Sequence, residues 1–489
     1  MNQHGGAAPQ STQSTAPASV PDADEGASSQ SGLRRSLENR HIVMIALGGI
    51  IGAGLFVGSG AVINRTGPAA VLSYALSGVL MILVIRAIGE MAVARPSSGS
   101  VANFSRDGLG NWAGFSVGWL YWYFWVVVAA IEAVAGAGIL ANYLPGVPAW
   151  LLCLGLVLVL TAINLLSVKA YGEAEFWFAS IKVIAIIFFV CVTGLFLLGL
   201  VGKPESPGLT NLFSHGGMFP YGVVAALVGS VTVLFSMGGA EIATIAAAES
   251  KKPVEYAAKA TKQVMARVFV FYVLSILLIV AAVPWDTPFT GESIRSPFAV
   301  VLEHIGIPGM SVVMEAIVLT AVLSSLNSCL YITSRMLFAL AEKGDAPKSL
   351  VKINSRGVPV RAILAGTSMG YAAVVANYFF PEQVFIFLIN SSGAIQLIYY
   401  IILVGAEIRL RRRLEATDRG ALRMKMWCFP YLSWFSIAWM VVVLGLMAVI
   451  EETRSQLLLS LIAFGVILLA YRIRAARGTQ PAIGPTIGA

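Results

Sequence analysis

The sequence predicts an all-α integral membrane protein with about twelve membrane-spanning helices, and three observations support that fold class. Of its 489 residues, 57% are hydrophobic and only 12% are charged, whereas about a quarter of the residues in soluble domains are charged. About twelve apolar runs provide the roughly 20 residues that a helix needs to cross the hydrocarbon of a bilayer. Lysine and arginine concentrate in every second connection between these runs. This pattern excludes a water-soluble chain.

The region before the first apolar run predicts a disordered cytoplasmic tail over residues 1–32. It is rich in Gln, Ser, Ala, Pro and Gly and has no apolar stretch, so burial cannot offset the entropy that folding would remove. A secretory signal peptide would need an apolar core behind its basic residues. Instead, Arg34, Arg35 and Arg40 directly precede the first span, as expected for an uncleaved cytoplasmic segment.

The apolar runs predict two halves of five spans each, followed by a terminal pair. In chain order the runs cover approximately 42–63, 67–90, 113–141, 149–168, 175–200, 220–247, 266–285, 311–340, 359–380, 383–406, 429–450 and 456–473. We therefore expect a first transmembrane repeat over 33–200, a second over 201–408, a final pair over 409–473, and a cytoplasmic tail over 474–489.

The distribution of positive charge predicts the orientation. With the N-terminus inside, the cytoplasmic side carries 27 lysines and arginines, and the outer side carries four. Short loops rich in these residues stay in the cytoplasm, so both termini are expected there, in a chain of the bacterial inner membrane. The net charge of +8 then requires no nucleic acid partner. The basic run 409–425 is expected to contact lipid headgroups.

Glycines interrupt two of the predicted helices near the middle of the membrane. Span one contains Gly48–Phe56, with four glycines in seven residues, and span six contains Phe235–Glu241, with a glycine pair followed by a carboxylate. Glycine disfavours a helix by about 1 kcal/mol relative to alanine, although small residues also serve close helix packing. Because spans one and six are corresponding members of the two halves, the paired breaks predict an inverted repeat with a binding site between them.

A broken helix leaves backbone groups that a ligand can bind. Beyond Gly52 the new helix begins with free N–H groups and the positive end of its dipole, which suit a carboxylate. Carbonyls released near Ile50 and over Phe235–Gly238 suit an ammonium group, and Phe235 could close over the bound molecule. The two helix ends therefore predict a zwitterionic substrate rather than a sugar.

Ionisable residues within the predicted spans are candidate functional groups, because charge in a membrane is costly. Lys182 either snorkels to the cytoplasmic interface or lies against the first helix, where it would gain and lose a proton during transport. Glu132 and Glu241 could each pair with Lys182, gate the inner route, relay the proton or make a structural hydrogen bond. Arg86 and Glu90, four apart in span two, are predicted to form an ion pair.

Two further stretches have alternative interpretations. The aromatic run Trp119–Trp125 predicts an interfacial belt or a packing surface. The run Leu323–Arg335 places polar side chains on one face of span eight, which predicts an aqueous path or hydrogen bonds between helices.

Only four histidines and four cysteines are scattered through the chain. They predict no metal site, no cofactor and no enzyme of the Ser/His/Asp type.

Four of these segments together resemble one family. Gly48–Phe56, Phe235–Ser250, Ser324–Arg335 and Leu388–Ile395 are similar to the corresponding motifs of the amino acid permeases of the amino acid, polyamine and organocation superfamily. The resemblance extends from about residue 40 to about residue 473. Within that group the chain is most similar to bacterial 4-aminobutyrate (GABA) permeases.

The resemblance implies a leucine-transporter-like fold of five plus five helices, and import of a small amino acid together with a proton by alternating access. It implies that proton coupling falls to Lys182 and that Glu241 lies by the gate. The backbone groups it implies for substrate binding are the amides of Gly52, Ala53 and Gly54 and the carbonyls of Ile50, Phe235 and Ser236. Relatives with nearly the same motifs carry proline, asparagine, histidine, aromatic or basic amino acids, so these substrates stay open.

An ion or solute channel is the rival from a different functional class. Channels use rings of pore-lining residues in an oligomer, whereas this chain has paired broken helices of its own. No Gly-x-x-x-x-Gly-Lys-Ser/Thr phosphate loop occurs, so energy from nucleotide hydrolysis would require another subunit. The predicted partners are therefore a small amino acid, a proton and membrane lipid.

Overall fold

The computed structural model describes residues 51–96, 100–166, 168–203, 206–248, 253–289, 294–354, 358–381 and 383–477. Throughout these ranges the regular structure is helical and contains no strand. The expectations for the tail 1–32, for Gly48, Gly49 and Ile50, and for residues beyond 477 lie outside the described residues.

The first part of the chain forms seven helices. They are α1 (Ala53–Phe56), α2 (Gly58–Thr66), α3 (Ala70–Ala94), α4 (Val101–Leu109), α5 (Asn111–Ala141), α6 (Ala149–Leu166) and α7 (Val168–Leu197). A 3-10 turn over Gly67–Ala69 joins α2 to α3, and Pro68 in that turn suits the first positions of a helical turn because it has no N–H to leave unpaired.

The remaining chain forms ten helices and one π-helical stretch. They are α8 (Gly222–Met237), α9 (Ala240–Ala248), α10 (Pro253–Arg267), the π stretch Val268–Leu274, α11 (Ser275–Ala282), α12 (Pro297–Ile305), α13 (Met310–Glu342), α14 (Val360–Phe379), α15 (Val384–Thr417), α16 (Tyr431–Val449) and α17 (Glu451–Ala476). Short 3-10 turns cover Thr210–Leu212, Lys348–Val351 and Arg419–Ala421.

Length and hydropathy identify a multi-pass membrane protein. Nine stretches of the described chain are long and apolar enough to cross a bilayer, and two further apolar helices, α6 and α8, are shorter. Large apolar side chains on α17, including Leu458, Ile462, Val466 and Leu469, are exposed. Such a surface is stable only against hydrocarbon or another apolar partner. The prediction of an all-helical membrane protein is confirmed.

Helix α5 lies at the centre of the protein. It packs against α4, α13, α14 and α15, and most of its residues are buried. Small side chains such as Ala129, Ala130, Ala133 and Ala137 are fully or almost fully buried along it. Where no water is available to drive association, such small residues allow close van der Waals contact between helices. Helix α5 thus carries Glu132 into the interior.

The predicted interruption in span six is present. Helix α8 ends at Met237, and Gly238 leaves the helical conformation with φ −56° and ψ 144°. Gly239 then has a φ of +89°, in the left-handed region that favours glycine. Helix α9 begins at the next residue. Where the sequence predicts the first break, Gly52 has φ −142° and ψ −143°, and α1 begins at Ala53.

Asp345, just after α13, joins three parts of the chain. One carboxylate oxygen pairs with Arg106 of α4 and the other with Arg474 of α17, while its backbone carbonyl accepts a hydrogen bond from Trp119 Nε1 of α5 at 3.0 Å. The Asp345 side chain is 1% exposed. A carboxylate at such depth needs this degree of pairing because desolvation is costly.

The predicted ion pair between Arg86 and Glu90 is wrong. Glu90 pairs with Arg411 of α15, with a distance of 3.1 Å between Nη1 and Oε2. Arg86 instead donates from Nε to the carbonyl of Lys425 at 2.9 Å and lies over the ring of Trp427. Helical spacing favours the i,i+4 pair, but a nearby guanidinium from a separate helix provides a buried partner.

Candidate functional site

The carboxylate of Glu132 binds the first turn of α1. The backbone N–H of Ala53 donates to both of its oxygens, at 2.9 Å for Oε2 and 3.2 Å for Oε1. The hydroxyl of Ser325 on α13 donates to Oε1 at 2.9 Å. Glu132 is 2% exposed. The start of a helix has N–H groups without intrahelical partners and favours negative charge, so this position is suited to a carboxylate.

Glycine at positions 52 and 54 makes this arrangement possible. A Cβ atom built on Gly52 would overlap Glu132 Oε1 and would lie 2.6 Å from Ser325 Oγ. A Cβ atom on Gly54 would lie 2.7 Å from the Cα of Ser236. Real Cβ atoms do not approach backbone this closely, so α1 and α8 touch at this point only because Gly54 has no side chain.

The end of α8 is also organised by hydrogen bonds. The carbonyl of Phe235 accepts from the N–H of Gly238 at 3.1 Å, and the carbonyl of Ser236 accepts from the hydroxyl of Tyr272 at 2.8 Å. Each carbonyl oxygen has two lone pairs and can accept a second bond. The predicted ammonium-binding carbonyls therefore have defined positions.

A small cavity lies between α1 and the end of α8. Its lining consists of Gly54, Phe124, Trp125, Val128, Glu132, Phe235, Ser236, Gly238 and Ser325. The space open to the centre of a water molecule is about 10 Å³, enough for about one water and too little for an amino acid. Gly52 and Ala53 are not among the lining residues, but both lie next to Glu132, which is. Lys182 and Glu241 are not among the lining residues either. An amino acid therefore does not fit between α1 and α8 as they stand here.

Lys182 on α7 forms a buried cluster with Glu175 and Ser324. Its Nζ lies 3.8 Å from Glu175 Oε1 and donates to Ser324 Oγ at 2.9 Å. The Ser324 hydroxyl in turn donates to Glu175 Oε2 at 2.7 Å. The side chains of Lys182 and Glu175 are 0% and 1% exposed, so the snorkelling interpretation of Lys182 is wrong.

Neither Glu132 nor Glu241 forms an ion pair with Lys182 in the described chain; its carboxylate partner is Glu175. Sequence reasoning missed Glu175 because it lies at the predicted start of span five. A signal was nevertheless available, since positions 175 and 182 are two helical turns apart and therefore share a face of α7. A carboxylate placed on the same face as a buried lysine is a candidate ion-pair partner.

Glu241 lies in the first turn of α9 and is fully buried. Its Oε2 accepts a hydrogen bond from the hydroxyl of Tyr400 at 3.2 Å, and Tyr400 in turn accepts one from Gln396 Nε2 at 3.0 Å. Here the positive end of the helix dipole favours the acidic side chain. Glu241 thus connects α9 to α15.

Several lining residues were not among the predicted site residues. Phe124 and Trp125 belong to the aromatic run of α5, and both are buried, which favours the packing interpretation over the interfacial belt. Ser324 and Ser325 lie on the polar face of α13. Ser324 donates a hydrogen bond to Glu175, and Ser325 donates one to Glu132. A single apolar or hydroxyl-bearing residue cannot be assigned to such a role from the sequence alone.

Comparison with known proteins identifies the family. The family model described as "Amino acid permease" matches residues 41–480. The chain is 49% identical to the gamma-aminobutyric acid permease of Bacillus subtilis, over 91% of this chain and 94% of that protein. It is 43% identical to a probable GABA permease of Pseudomonas aeruginosa, over 87% and 89% respectively.

The chain also resembles a transporter of other amino acids. It is 36% identical to an aromatic amino acid transport protein of Corynebacterium glutamicum, over 91% of this chain and 96% of that protein. The family model's match over residues 41–480 spans all the described helices.

We expect Glu175→Gln to destabilise the protein by about 3–5 kcal/mol, because removing one partner of a buried ion pair leaves the other charge poorly compensated. The double variant Glu175→Gln with Lys182→Met should lose less than the sum of the two single losses. The measurement is thermal unfolding of the purified protein in detergent. Glu303→Gln, at an exposed ion pair with Arg295, is the matched control and should lose little. If the stability losses of the two single variants simply add in the double variant, Glu175 and Lys182 do not stabilise each other.

Proposed function

This chain belongs to the amino acid permease family, and from that premise we propose that it is a proton-coupled symporter that imports GABA by alternating access. The proposal of GABA rests on the names of the relatives in Bacillus subtilis and Pseudomonas aeruginosa. Proton coupling rests on the buried ionisable groups at Lys182 and Glu132.

The architecture we propose has twelve spans, with spans one to five and six to ten as inverted repeats. Its support is the contact between the two helix breaks, where Gly54 of α1 meets Ser236 of α8. Discontinuous helices that meet near the middle of a membrane are typical of transporters with inverted repeats. We place both termini in the cytoplasm, in a bacterial inner membrane, on the distribution of positive charge. The repeats cover 33–200 and 201–408, before helices eleven and twelve over 409–473.

The substrate carboxylate binds the amides at the start of α1, from Gly52 to Gly54. One observation carries this step: the Glu132 carboxylate already occupies the N–H of Ala53, so the position accepts that functional group. The substrate ammonium binds the carbonyls of Phe235 and Ser236, with Ile50 completing the set. Gly238 allows the backbone to turn away there, and Phe235 closes over the ligand.

Proton coupling follows from the need to move Glu132. Its ionised carboxylate competes with that of the substrate for the same N–H groups, and protonation removes the charge that the helix end stabilises. Lys182 takes part through α13, where the adjacent residues Ser324 and Ser325 bind the Glu175–Lys182 pair and Glu132 respectively. Glu241, held by Tyr400, gates the inner route.

Uptake of radiolabelled GABA into proteoliposomes tests the function. With the outside more acidic, we expect GABA to accumulate above its equilibrium level and to leave again when a protonophore is added. Unlabelled proline, asparagine, histidine, aromatic and basic amino acids serve as competitors, and a stronger competitor than GABA would identify a different substrate. Counterflow separates a carrier from a channel, since only a carrier exchanges labelled for unlabelled substrate through a site that faces one side at a time.

Replacing Lys182 by alanine should abolish proton-driven accumulation, because the variant lacks the buried ammonium group of the cluster. The measurement is the ratio of internal to external GABA under an imposed pH difference. Lys262→Ala is the matched control, because Lys262 is an exposed residue of α10, and it should accumulate GABA normally. Concentrative uptake that survives in Lys182→Ala would remove this lysine from the coupling role.

Gly54→Ala should weaken GABA binding about tenfold, because the added methyl group forces α1 away from Ser236 at a cost of about 1–3 kcal/mol. Gly58→Ala is the matched control: a Cβ there meets its nearest neighbours at 3.5 Å, an ordinary contact. Equilibrium binding of radiolabelled GABA to the purified variants provides the comparison. Equal affinities in both variants would argue against the site at the start of α1.

A further inference from the structure

A second and larger cavity lies beside the N-terminal part of α5. Its volume is about 330 Å³, within the range of pockets that bind small molecules. Helices α4, α5, α9 and α13 contribute to its wall. Its apolar lining includes Val101, Tyr121, Ile242, Ile245, Ile332 and Leu340.

The two cavities follow one another along α5. Trp125 lines the small cavity, and Tyr121 lines the large one. Four residues of an α-helix correspond to about 6 Å of rise, so the large cavity begins about one helical turn from the central site. In the proposed orientation it lies on the cytoplasmic side.

Positive charge dominates the polar part of the large cavity, where Arg106, Arg335, Lys343 and Asp345 contribute to the lining. The carboxylate of Asp345 is already bound by Arg106 and by Arg474. Burial, together with the nearby Arg106, lowers the pKa of Lys343, whose Nζ donates to Asn103 Oδ1 at 2.6 Å. Among the described lining residues there are thus three cationic side chains and one acidic side chain, Asp345, whose two oxygens are both paired.

Arg335 differs from Arg106, which shares an unpartnered buried Nε but pairs with Asp345. The guanidinium of Arg335 lies over the ring of Tyr331, 5.0 Å from the centroid, and its buried Nε has no hydrogen-bond partner. Within the described ranges no carboxylate pairs with it. A buried N–H without an acceptor is costly and calls for an explanation. The planar donor fork of arginine matches a carboxylate.

We propose that this cavity is a second binding site, for short aliphatic carboxylates. Arg335 binds the carboxylate, and Ile242, Ile245 and Ile332 contact the aliphatic chain. Because Asp345 is saturated by two guanidinium groups, the site recognises no ammonium group. Butyrate therefore fits it as well as GABA does. That GABA itself occupies it on the way to the cytoplasm rests on the proposed function.

A cysteine reporter tests the site without measuring transport. Ala339 lines the cavity and is exposed, so Ala339→Cys is introduced after the exposed Cys191 and Cys428 are changed to serine. The rate of maleimide labelling of the full-length protein in detergent is then measured with butyrate, GABA or butylamine. We expect butyrate and GABA to slow labelling and butylamine, which lacks a carboxylate, to leave it unchanged.

Arg335→Gln in this background should raise the concentration of butyrate that gives half-protection about tenfold or more. Arg409→Gln is the matched control, the same substitution at an exposed arginine of α15, and should change nothing. If Arg335→Gln does not fold, Arg335→Lys replaces it, and the loss of the planar fork should still weaken protection severalfold. Unchanged protection in the Arg335 variant, or equal protection by butylamine, overturns the proposal.

The two proposals fail separately. The central site requires both charges of a zwitterion, whereas the large cavity requires only the carboxylate. Protection by butyrate that depends on Arg335, found together with an absence of GABA uptake, would reject the proposed function and support the second site. GABA uptake without any protection by butyrate would support the proposed function and reject the second site.

Discussion

The hydrogen bond between the main chain at Ala53 and the carboxylate of Glu132 is the interaction on which the rest of the site depends. A helix that begins inside a membrane protein has N–H groups that no water can satisfy. Here a side chain from α5 satisfies the N–H of Ala53, and Ser325 fixes the orientation of that side chain. Through this contact α5, the helix at the centre of the protein, fixes the start of α1.

In the mechanism we propose, the same contact connects substrate recognition with protonation. A carboxylate that is held by a helix end is an internal competitor for any substrate with the same group. Ser325 of α13 binds this competitor, Glu132, and the preceding residue, Ser324, binds Lys182 and Glu175. In the proposed mechanism, a displacement of Glu132 moves Ser325 and, through the backbone of α13, Ser324. In the proposed mechanism, coupling between Glu132 and Lys182 needs no long pathway. The neighbouring residues Ser325 and Ser324 of α13 contact one of these groups each.

Backbone features could be predicted from the sequence more readily than side-chain partners. Gly238 and Gly239 identified the break between α8 and α9, because glycine tolerates the conformations that a break requires. The apolar runs likewise predicted a helical membrane protein. Pairing depends on which helices meet, and this was not visible in one sequence: Glu90 contacts Arg411 across 321 positions, and Lys182 contacts Ser324 across 142. Glu175 was the exception, since helical periodicity alone places it on the same face of α7 as Lys182.

The two oxygens of Asp345 each bind a guanidinium from a different helix, Arg106 on α4 and Arg474 on α17. Neither helix can move far from the other without breaking an ion pair to Asp345. Because Arg106 and Asp345 also line the large cavity, a single carboxylate ties the wall of that cavity to the last described helix of this permease.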